Sequence, residues 1–303
     1  MTAAICPTRF RTTALSTLAT FALLLHQTAD ARADTMTFGC AKDNTLIESA
    51  AGEWSNGASD GVFSGRLGTA GGGLKLRGLM AFNLAAIPPG STINSVSLRL
   101  VLVQGHGGTQ TVSLHHVLAD WGEGTSYNFA GYGAPSKPND ATWLHRFYPN
   151  VFWTTPGGQF VATASASASV GNTGSTTWSG TGLVADVQGW VANPSTNFGW
   201  LIKANEVAQA TAKKFTSKDW VNNPDVPLLT ITFTPPPPPV CNEDVNHDGS
   251  INVTDMLEVI NSWGACSPPP QACPTDIAPA LQGNGAVDVN DLLAIINAWG
   301  PCL

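Results

Sequence analysis

The chain has 303 residues, of which only 12% are charged, and its 31 Gly and 21 Pro provide many turn-forming positions. An apolar content of 43% with ten Trp suffices for a sizeable core and excludes a disordered chain. A formal charge of −7 argues against a nucleic-acid-binding protein, which needs a clustered basic surface. The length permits two domains.

Residues 1–33 have the pattern of a secretory signal peptide. Arg9 and Arg11 precede a short apolar run over 13–25, and Ala31-Arg32-Ala33 is an A-x-A cleavage pattern. The run is too short for a membrane span, which needs about 20 apolar residues, and no other stretch qualifies. We expect a secreted chain, extracellular or cell-surface associated, that begins at Asp34 and can form disulfides.

Residues 34–234 predict a β-sandwich. Apolar and polar residues alternate or form short strand-like runs in six segments, 77–84, 96–102, 112–116, 198–203, 212–217 and 228–233. Such runs between Gly, Pro and Asn turns indicate half-buried antiparallel strands. About 200 residues of this kind fit a jelly-roll-like sandwich. The run 163–170 fits either an edge strand or a loop.

Five consecutive prolines, Pro235 to Pro239, predict an extended linker over 235–240. The segments on its two sides differ in charge. Residues 34–240 hold twelve Asp or Glu and eleven Lys or Arg, whereas 241–303 hold eight acidic residues and no Lys or Arg. We therefore expect a separate, acidic C-terminal module.

The string DVNHDGSINVTD, from Asp244 to Asp255, fits a twelve-residue calcium loop of the EF-hand kind. Calcium takes six to eight hard oxygen ligands, and Gly249 at position 6 permits the sharp turn that brings them together. The predicted ligands at positions 1, 3, 5, 7, 9 and 12 are Asp244, Asn246, Asp248, the Ser250 carbonyl, Asn252 and Asp255.

The loop occurs twice, because Asp255, Trp263 and Cys266 recur 36 residues later as Asp291, Trp299 and Cys302. The predicted ligands of the second loop are Asp276, Asn284, the Ala286 carbonyl, Asp288 and Asp291. This loop has no clear ligand at position 3. We expect it to bind calcium more weakly, or to have lost its metal.

Each loop is followed by apolar residues at helical spacing, Met256, Val259, Ile260 and Trp263 in the first repeat and Leu292, Ile295, Ile296 and Trp299 in the second. One short helix cannot bury such a face alone, so we expect the two helices to pack on each other. The predicted C-terminal module is thus a small all-α unit.

The predicted disulfides are Cys241–Cys302 and Cys266–Cys273, with Cys40 free. A bridge within one repeat would have to cross a helix about 16 Å long. Bonded cysteines have Cα atoms within about 7 Å. In a two-fold pair the entry of one repeat lies beside the exit of the other, which favours bridges between repeats.

The sequence offers little support for a catalytic site. Whether the protein is an enzyme is left open, and on balance we expect that it is not. No H-E-x-x-H, G-x-S-x-G, G-x-G-x-x-G or C-x-x-C motif occurs. His115 and His116 are adjacent in a predicted strand and point to opposite faces. The best carboxylate pair is Asp120 and Glu123, and a glycosidase needs two carboxyls held across one sugar bond.

An aromatic cluster over 143–153 is the candidate ligand site. Rings can stack on the C–H faces of sugars, and cationic side chains can meet an acidic glycan. The candidate residues are Trp143, His145, Arg146, Tyr148 and Trp153. A hydrophobic cluster under a long loop explains the same residues, and we favour that interpretation.

The string from Leu76 to Leu102, LRGLMAFNLAAIPPGSTINSVSLRLVL, resembles the DNRLRE domain family. Later segments that match its landmarks in order are Asp120–Thr125, Asn197–Trp200, Lys214–Asp219 and Pro227–Ile231. The resemblance covers about residues 38–234. It implies a β-sandwich that accompanies polysaccharide-active proteins, some of which bind alginate-like acidic glycans.

The two loop–helix units over 241–303, each with Asp at position 12 and no leading helix, resemble a type I dockerin. In that family the module docks a cohesin through loop positions 10 and 11. Here those positions hold Val253-Thr254 and Val289-Asn290 instead of the frequent Ser-Thr pair.

Three functional hypotheses follow. The first is a secreted, non-catalytic carbohydrate-binding protein tethered by a calcium-stabilised dockerin-like module to a cohesin or surface partner. The second is a polysaccharide hydrolase or lyase carrying the same module. The third is a structural extracellular matrix protein.

Overall fold

A computed structural model describes residues 32–220, 224–237, 241–267, 273–279 and 283–302. The expected signal peptide, except for its last two residues, and linker positions 238–240 lie outside the described residues. No helix within the described ranges is long and apolar enough to cross a membrane.

Residues 34–234 form fourteen strands and one α-helix. The strands are β1 (Asp34–Ile47), β2 (Trp54–Ser55), β3 (Gly61–Arg66), β4 (Lys75–Phe82), β5 (Thr92–Gly105), β6 (Gln110–His116), β7 (Ala134–Pro135), β8 (His145–Phe147), β9 (Val151–Phe152), β10 (Ala166–Val170), β11 (Gly174–Ser179), β12 (Trp200–Lys203), β13 (Lys213–Thr216) and β14 (Leu228–Thr234). The helix is α1 (Thr181–Ala192), and short 3₁₀ turns occupy Thr69–Gly71 and Pro194–Thr196.

Strand β2 pairs with β7 and β8 pairs with β9 in two separate two-stranded sheets. The other ten strands form an antiparallel sandwich in which β3 pairs with strands of both layers, and so does β1. The first half of β1 pairs with β14 from Asp34 to Gly39, and its second half pairs with β4 from Cys40 to Ile47. The register shifts between Cys40 and Lys42, where the strand passes from one layer to the other. The mainly β fold predicted from the sequence is confirmed. The undecided run 163–170 contains β10, which lies at the end of the sheet order.

The main core lies between the layers. It combines alternate residues of the long strands with the apolar face of α1, and its fully buried members include Leu98, Leu100, Phe215 and Ile231. The sequence analysis did not predict α1. The sequence does contain apolar residues at helical spacing in this segment. They are the buried residues of the helix, namely Leu183, Val187, Trp190 and Val191.

The described residues after 240 form two short helices and four two-residue strands. The elements are β15 (Ser250–Ile251), α2 (Val253–Asn261), β16 (Gly264–Ala265), β17 (Ala286–Val287), α3 (Val289–Asn297) and β18 (Gly300–Pro301). Strand β15 pairs with β18, and β16 pairs with β17. The exit of each repeat therefore pairs with the loop of the other, and the unit combines helices and strands instead of being all-α.

The expected helix faces need a correction. Val259 and Ile295 are fully buried between the repeats, but Ile260, Trp263, Ile296 and Trp299 are about half exposed. A nine-residue helix turns only one narrow stripe towards its partner. The neighbouring apolar positions therefore remain on the outside of the unit.

Candidate functional site

The first predicted calcium loop folds around two buried carboxylates. Asp244 accepts hydrogen bonds from the backbone N–H groups of Asp248 and Gly249, at 3.1 and 2.8 Å. Asp255 accepts from the backbone N–H groups of Asn246 and Asn252, at 3.2 and 2.9 Å. Gly249 has φ of 88°, a conformation that favours glycine. The loop thus draws the side chains of both its ends inwards.

The second loop repeats this geometry. Asp276 accepts from the backbone N–H groups of Asn284 and Gly285, both within 2.9 Å. Asp291 accepts from Ile277 and Asp288, at 2.7 and 2.8 Å. Gly285 has φ of 87°, nearly the value of Gly249. Asp291 also accepts from the backbone N–H of Ala278 at 2.8 Å, so the two loops bind their first and last Asp in a similar way despite the four-residue difference in length.

The remaining predicted ligands are half-buried or exposed. In the first loop they are Asn246, Asp248, the Ser250 carbonyl and Asn252, and in the second Asn284, the Ala286 carbonyl and Asp288. Asn252 and Asp288 also cap the helices that follow, since each accepts a hydrogen bond from the first turn. Carboxylate, amide and carbonyl oxygens are the ligand types that calcium takes in proteins.

Two disulfides hold the repeats together. Cys241 bonds Cys302 with Cα atoms 5.9 Å apart, and Cys266 bonds Cys273 with Cα atoms 5.7 Å apart. This is the pairing predicted from the two-fold arrangement. Cys40 is the free cysteine among those described.

An outer stripe of apolar side chains runs along each C-terminal helix and includes the second residue after it. The stripe comprises Val253, Leu257, Ile260 and Trp263 in the first repeat and Val289, Leu293, Ile296 and Trp299 in the second. All eight are between 45% and 54% exposed. Each residue has its counterpart 36 positions later, so the unit presents the same apolar stripe twice.

The aromatic candidates over 143–153 are largely interior. Trp143 is 8% exposed and Trp153 is 5% exposed, and both belong to a second hydrophobic cluster beside Trp121. Trp153 Nε1 donates to the Thr142 carbonyl at 2.9 Å. Rings that are buried in this way cannot stack on a sugar. Trp143 and Trp153 are therefore part of a hydrophobic cluster, which is the interpretation that we favoured from the sequence.

The polar candidates of the same segment are also engaged within the protein. His145 is buried, and its Nδ1 lies 2.9 Å from the Thr142 hydroxyl. The half-buried Tyr148 ring packs edge-on against the His145 ring. Arg146 Nη1 donates to the Asp120 carbonyl at 3.3 Å. These three side chains position the hairpin formed by β8 and β9.

A polar cavity of about 650 Å³ lies elsewhere, where three loops of the sandwich meet. Its lining side chains are mostly charged or aromatic, namely Asp60, Glu123, Tyr127, Lys218, Asp219 and Trp220. Lys218 Nζ lies 2.9 Å from Asp219 Oδ1 and 3.2 Å from Glu123 Oε1. Lys214 Nζ lies 2.9 Å from Asp60 Oδ1. The cavity therefore carries slightly more negative than positive charge.

Burial perturbs the acids at the back of this cavity. Removal from water raises the pKa of Asp43 to about 8 and also raises the pKa of Glu123. For Lys218, burial lowers the pKa, but the hydrogen bonds and charges of Asp219 and Glu123 outweigh it and raise the pKa above its usual value. The ammonium of Lys218 is thus held firmly between two carboxylates.

Exposed aromatic rings line the loop beside the cavity. Tyr127 and Phe129 are 56% and 68% exposed, and Tyr132 follows on the same loop with half of its surface exposed. Tyr127 also lines the cavity. Tyr132 instead lines a separate small pocket beside Phe63 and Lys214. A cavity lined by charged side chains and one exposed ring has the chemistry that sugar binding requires. We refer to residues 127–132 as the aromatic loop.

The carboxylate pair predicted from sequence does not form one site. Asp120 is bound to Lys42 Nζ at 2.6 Å, whereas Glu123 faces Lys218 across the cavity. His116 Nδ1 lies 2.9 Å from Asp186. Its Nε2 accepts from Trp190 Nε1, so both of its nitrogens are engaged.

The sequence patterns did not predict a site role for Asp43, Tyr127, Phe129 or Tyr132, and they marked Lys214–Asp219 only as part of the family resemblance. The spacing of three aromatic residues within six positions between glycines was the available signal for the loop. Nothing in the sequence placed Asp43 beside residues 123 and 219.

Comparison of the chain with protein-family models and with curated protein sequences found no significant match.

Proposed function

We propose that this is a secreted, non-catalytic protein in which a jelly-roll-like, DNRLRE-like β-sandwich over 34–234 binds a polysaccharide. A calcium-stabilised, dockerin-like module over 241–303 tethers it to a cohesin or surface partner. The observation that carries the binding function is the polar cavity flanked by the exposed aromatic loop. The repeated acidic loops and the duplicated outer stripe support the tether.

The charge of the cavity selects the class of glycan. Asp60, Glu123 and Asp219 line it, while Lys218 and Lys214 offset part of their charge. A polyuronate would bring further carboxylates to these acids and would be repelled. We therefore propose a neutral polysaccharide, whose hydroxyls can bond the acids and whose ring faces can stack on Tyr127. This choice differs from the acidic glycan that the family resemblance implies.

The tether follows from the C-terminal unit. Exposed apolar surface that recurs at equivalent positions is typical of a protein interface. The outer stripe begins at Val253 and Val289, which are positions 10 of the two loops and the positions that the dockerin resemblance assigns to docking. Calcium holds each loop in place and thereby fixes the start of each stripe.

Binding of the full-length chain to neutral polysaccharides and to alginate, measured by affinity electrophoresis, tests the glycan site. Tyr127→Ala should weaken retention by a neutral polysaccharide about tenfold, or about 1.4 kcal/mol. Phe152→Ala is the matched control, because Phe152 is 58% exposed but lies on the β8–β9 hairpin. Retention lost in Phe152→Ala and kept in Tyr127→Ala would contradict the proposed site.

Release of reducing sugars in the same samples tests the enzymatic alternative. The proposal expects no release above that of buffer alone.

For the tether, Leu257→Asp combined with Leu293→Asp should abolish binding to a panel of cohesin domains and leave the sandwich transition unchanged. Unchanged cohesin binding would contradict a docking role for the stripe.

A further inference from the structure

Three acidic side chains meet at the back of the cavity. One carboxylate oxygen from each of Asp43, Glu123 and Asp219 lies within 4.8 Å of the other two. They come from three distant segments of the chain, namely strand β1, the loop after β6 and the loop after β13. Glu123 and Asp219 line the cavity, whereas Asp43 lies behind them and is 1% exposed.

Asp43 has an oxygen without a partner. Its Oδ2 accepts a hydrogen bond from the backbone N–H of Lys218 at 2.7 Å, with the Cys40 thiol 3.8 Å away. Its Oδ1 is buried and has no hydrogen-bond partner among the described residues. A buried carboxylate oxygen without a donor costs free energy, because the water that solvated it in the unfolded chain is not replaced. Such an oxygen points to a ligand.

The charges of the cluster are not balanced. Lys218 bonds Glu123 and Asp219, and Cys40 faces Asp43 as a neutral thiol. With all three acids ionised, as calcium binding requires, three carboxylates share one ammonium. A divalent cation would provide the missing positive charge and would also satisfy the free oxygen of Asp43.

We propose that Asp43, Glu123 and Asp219 bind a calcium ion, which displaces the Lys218 ammonium into the cavity. The three side chains offer hard oxygen ligands, and water from the open cavity completes the six to eight that calcium takes. The ion joins three chain segments at the back of the cavity. The site is separate from the two C-terminal loops and does not depend on the proposed glycan function.

The test counts calcium ions bound per full-length chain by equilibrium dialysis and elemental analysis. Asp219→Asn and Asp43→Asn should each bind one ion fewer than the wild-type protein. Asp60→Asn is the matched control, because Asp60 lines the same cavity but is paired with Lys214, and it should bind as many ions as wild type. Asp219 is partly exposed, so its variant keeps the test valid if Asp43→Asn does not fold.

A second variant tests the competition with Lys218. Lys218→Gln removes the ammonium and should tighten binding at this site by about tenfold. The measurement uses the Asp244→Asn, Asp276→Asn background, which removes one predicted ligand from each C-terminal loop. Equal ion counts for wild type and Asp219→Asn, or no change in affinity in Lys218→Gln, would overturn the proposal. Neither result would bear on calcium in the C-terminal loops.

Discussion

The sandwich and the C-terminal unit are stabilised in different ways. The sandwich has a large core in which both sheets and α1 contribute fully buried side chains. The C-terminal core contains five buried apolar residues, Ile251, Val259, Ile277, Val287 and Ile295. The same unit has two disulfides and buries three aspartates, Asp244, Asp255 and Asp291.

This difference follows from size. A unit of about 60 residues buries too little apolar surface to fold on its core alone, so cross-links and ligands must supply the rest. Its buried carboxylates are a liability without a cation, because like charges repel and have left water. The comparison therefore predicts that metal removal, core truncation and pH act on the two regions differently.

Chelation should have the largest effect, and it should fall on the C-terminal unit. Calorimetry of the full-length chain should show two transitions, and chelator should lower the C-terminal one sharply. A ligand at a thousandfold excess over its Kd stabilises the native state by about 4 kcal/mol. Any smaller shift of the sandwich transition would report the Asp43 cluster and should be absent in Asp43→Asn.

Single substitutions should reproduce the effect of chelator. Asp244→Ala and Asp255→Ala should destabilise the unit more than Asp276→Ala, because the first loop has a predicted ligand at every calcium position. One joint transition would refute the domain division, and two transitions that chelator leaves in place would refute the role of calcium.

Truncation of the buried tryptophans should have the second-largest effect, and it should destabilise the sandwich alone. Trp143→Ala or Trp153→Ala should lower the free energy of unfolding by about 3–5 kcal/mol, because each leaves a cavity in the second cluster. Polysaccharide retention by the protein that remains folded should be unchanged. Loss of retention with an unchanged melting temperature would instead restore these rings as a binding platform.

A neighbouring pair in α3 separates core from surface within the C-terminal unit. Ile295 is fully buried, whereas Ile296 is 47% exposed. In calcium, Ile295→Ala should cost about 2–5 kcal/mol of stability, and Ile296→Ala no more than about 0.5 kcal/mol. Chemical denaturation followed by circular dichroism measures both. Equal losses would show that the outer stripe is covered within the folded unit.

Mild acid should have the smallest effect. Burial lowers the pKa of His115 below its ordinary 6.5, so the native protein keeps this side chain neutral where the unfolded chain binds a proton. The contribution of His115 to the free energy of unfolding should therefore fall as the pH drops below 6.5, opposite in sign to that of Asp43, whose raised pKa favours the native protein in mild acid. A difference of one bound proton between the native and unfolded states changes the free energy of unfolding by at most about 1.4 kcal/mol per pH unit.

His115→Gln should remove this part of the acid sensitivity, as urea denaturation between pH 7.5 and about 5 would measure. The C-terminal transition is the internal control, because His115 lies in the sandwich, and His115→Gln should leave the pH dependence of that transition unchanged. An unchanged acid response in His115→Gln would contradict the assignment.

The sequence by itself determined the features that depend on local order along the chain. Alternation over 77–84 and a strand-like run over 228–233 predicted strands that overlap Lys75–Phe82 and Leu228–Thr234, because the side chains of a strand point alternately to its two faces. Loop spacing predicted the inward turn of Asp244 and Asp255, because Gly249 permits the conformation that this turn needs. The repeat of 36 residues also predicted which cysteines meet, since two-fold packing follows from two like repeats.

Tertiary structure decided what depends on contacts between distant segments. Periodicity shows that a residue is apolar but not which neighbour covers it, and so Trp143 lies inside while Trp263 lies outside. The cavity acids come from segments separated by 80 residues and more, and only the strand pairings bring Asp43 beside Glu123. Burial and electrostatic environment are properties of that assembled arrangement, and for this reason local sequence patterns did not identify the candidate site.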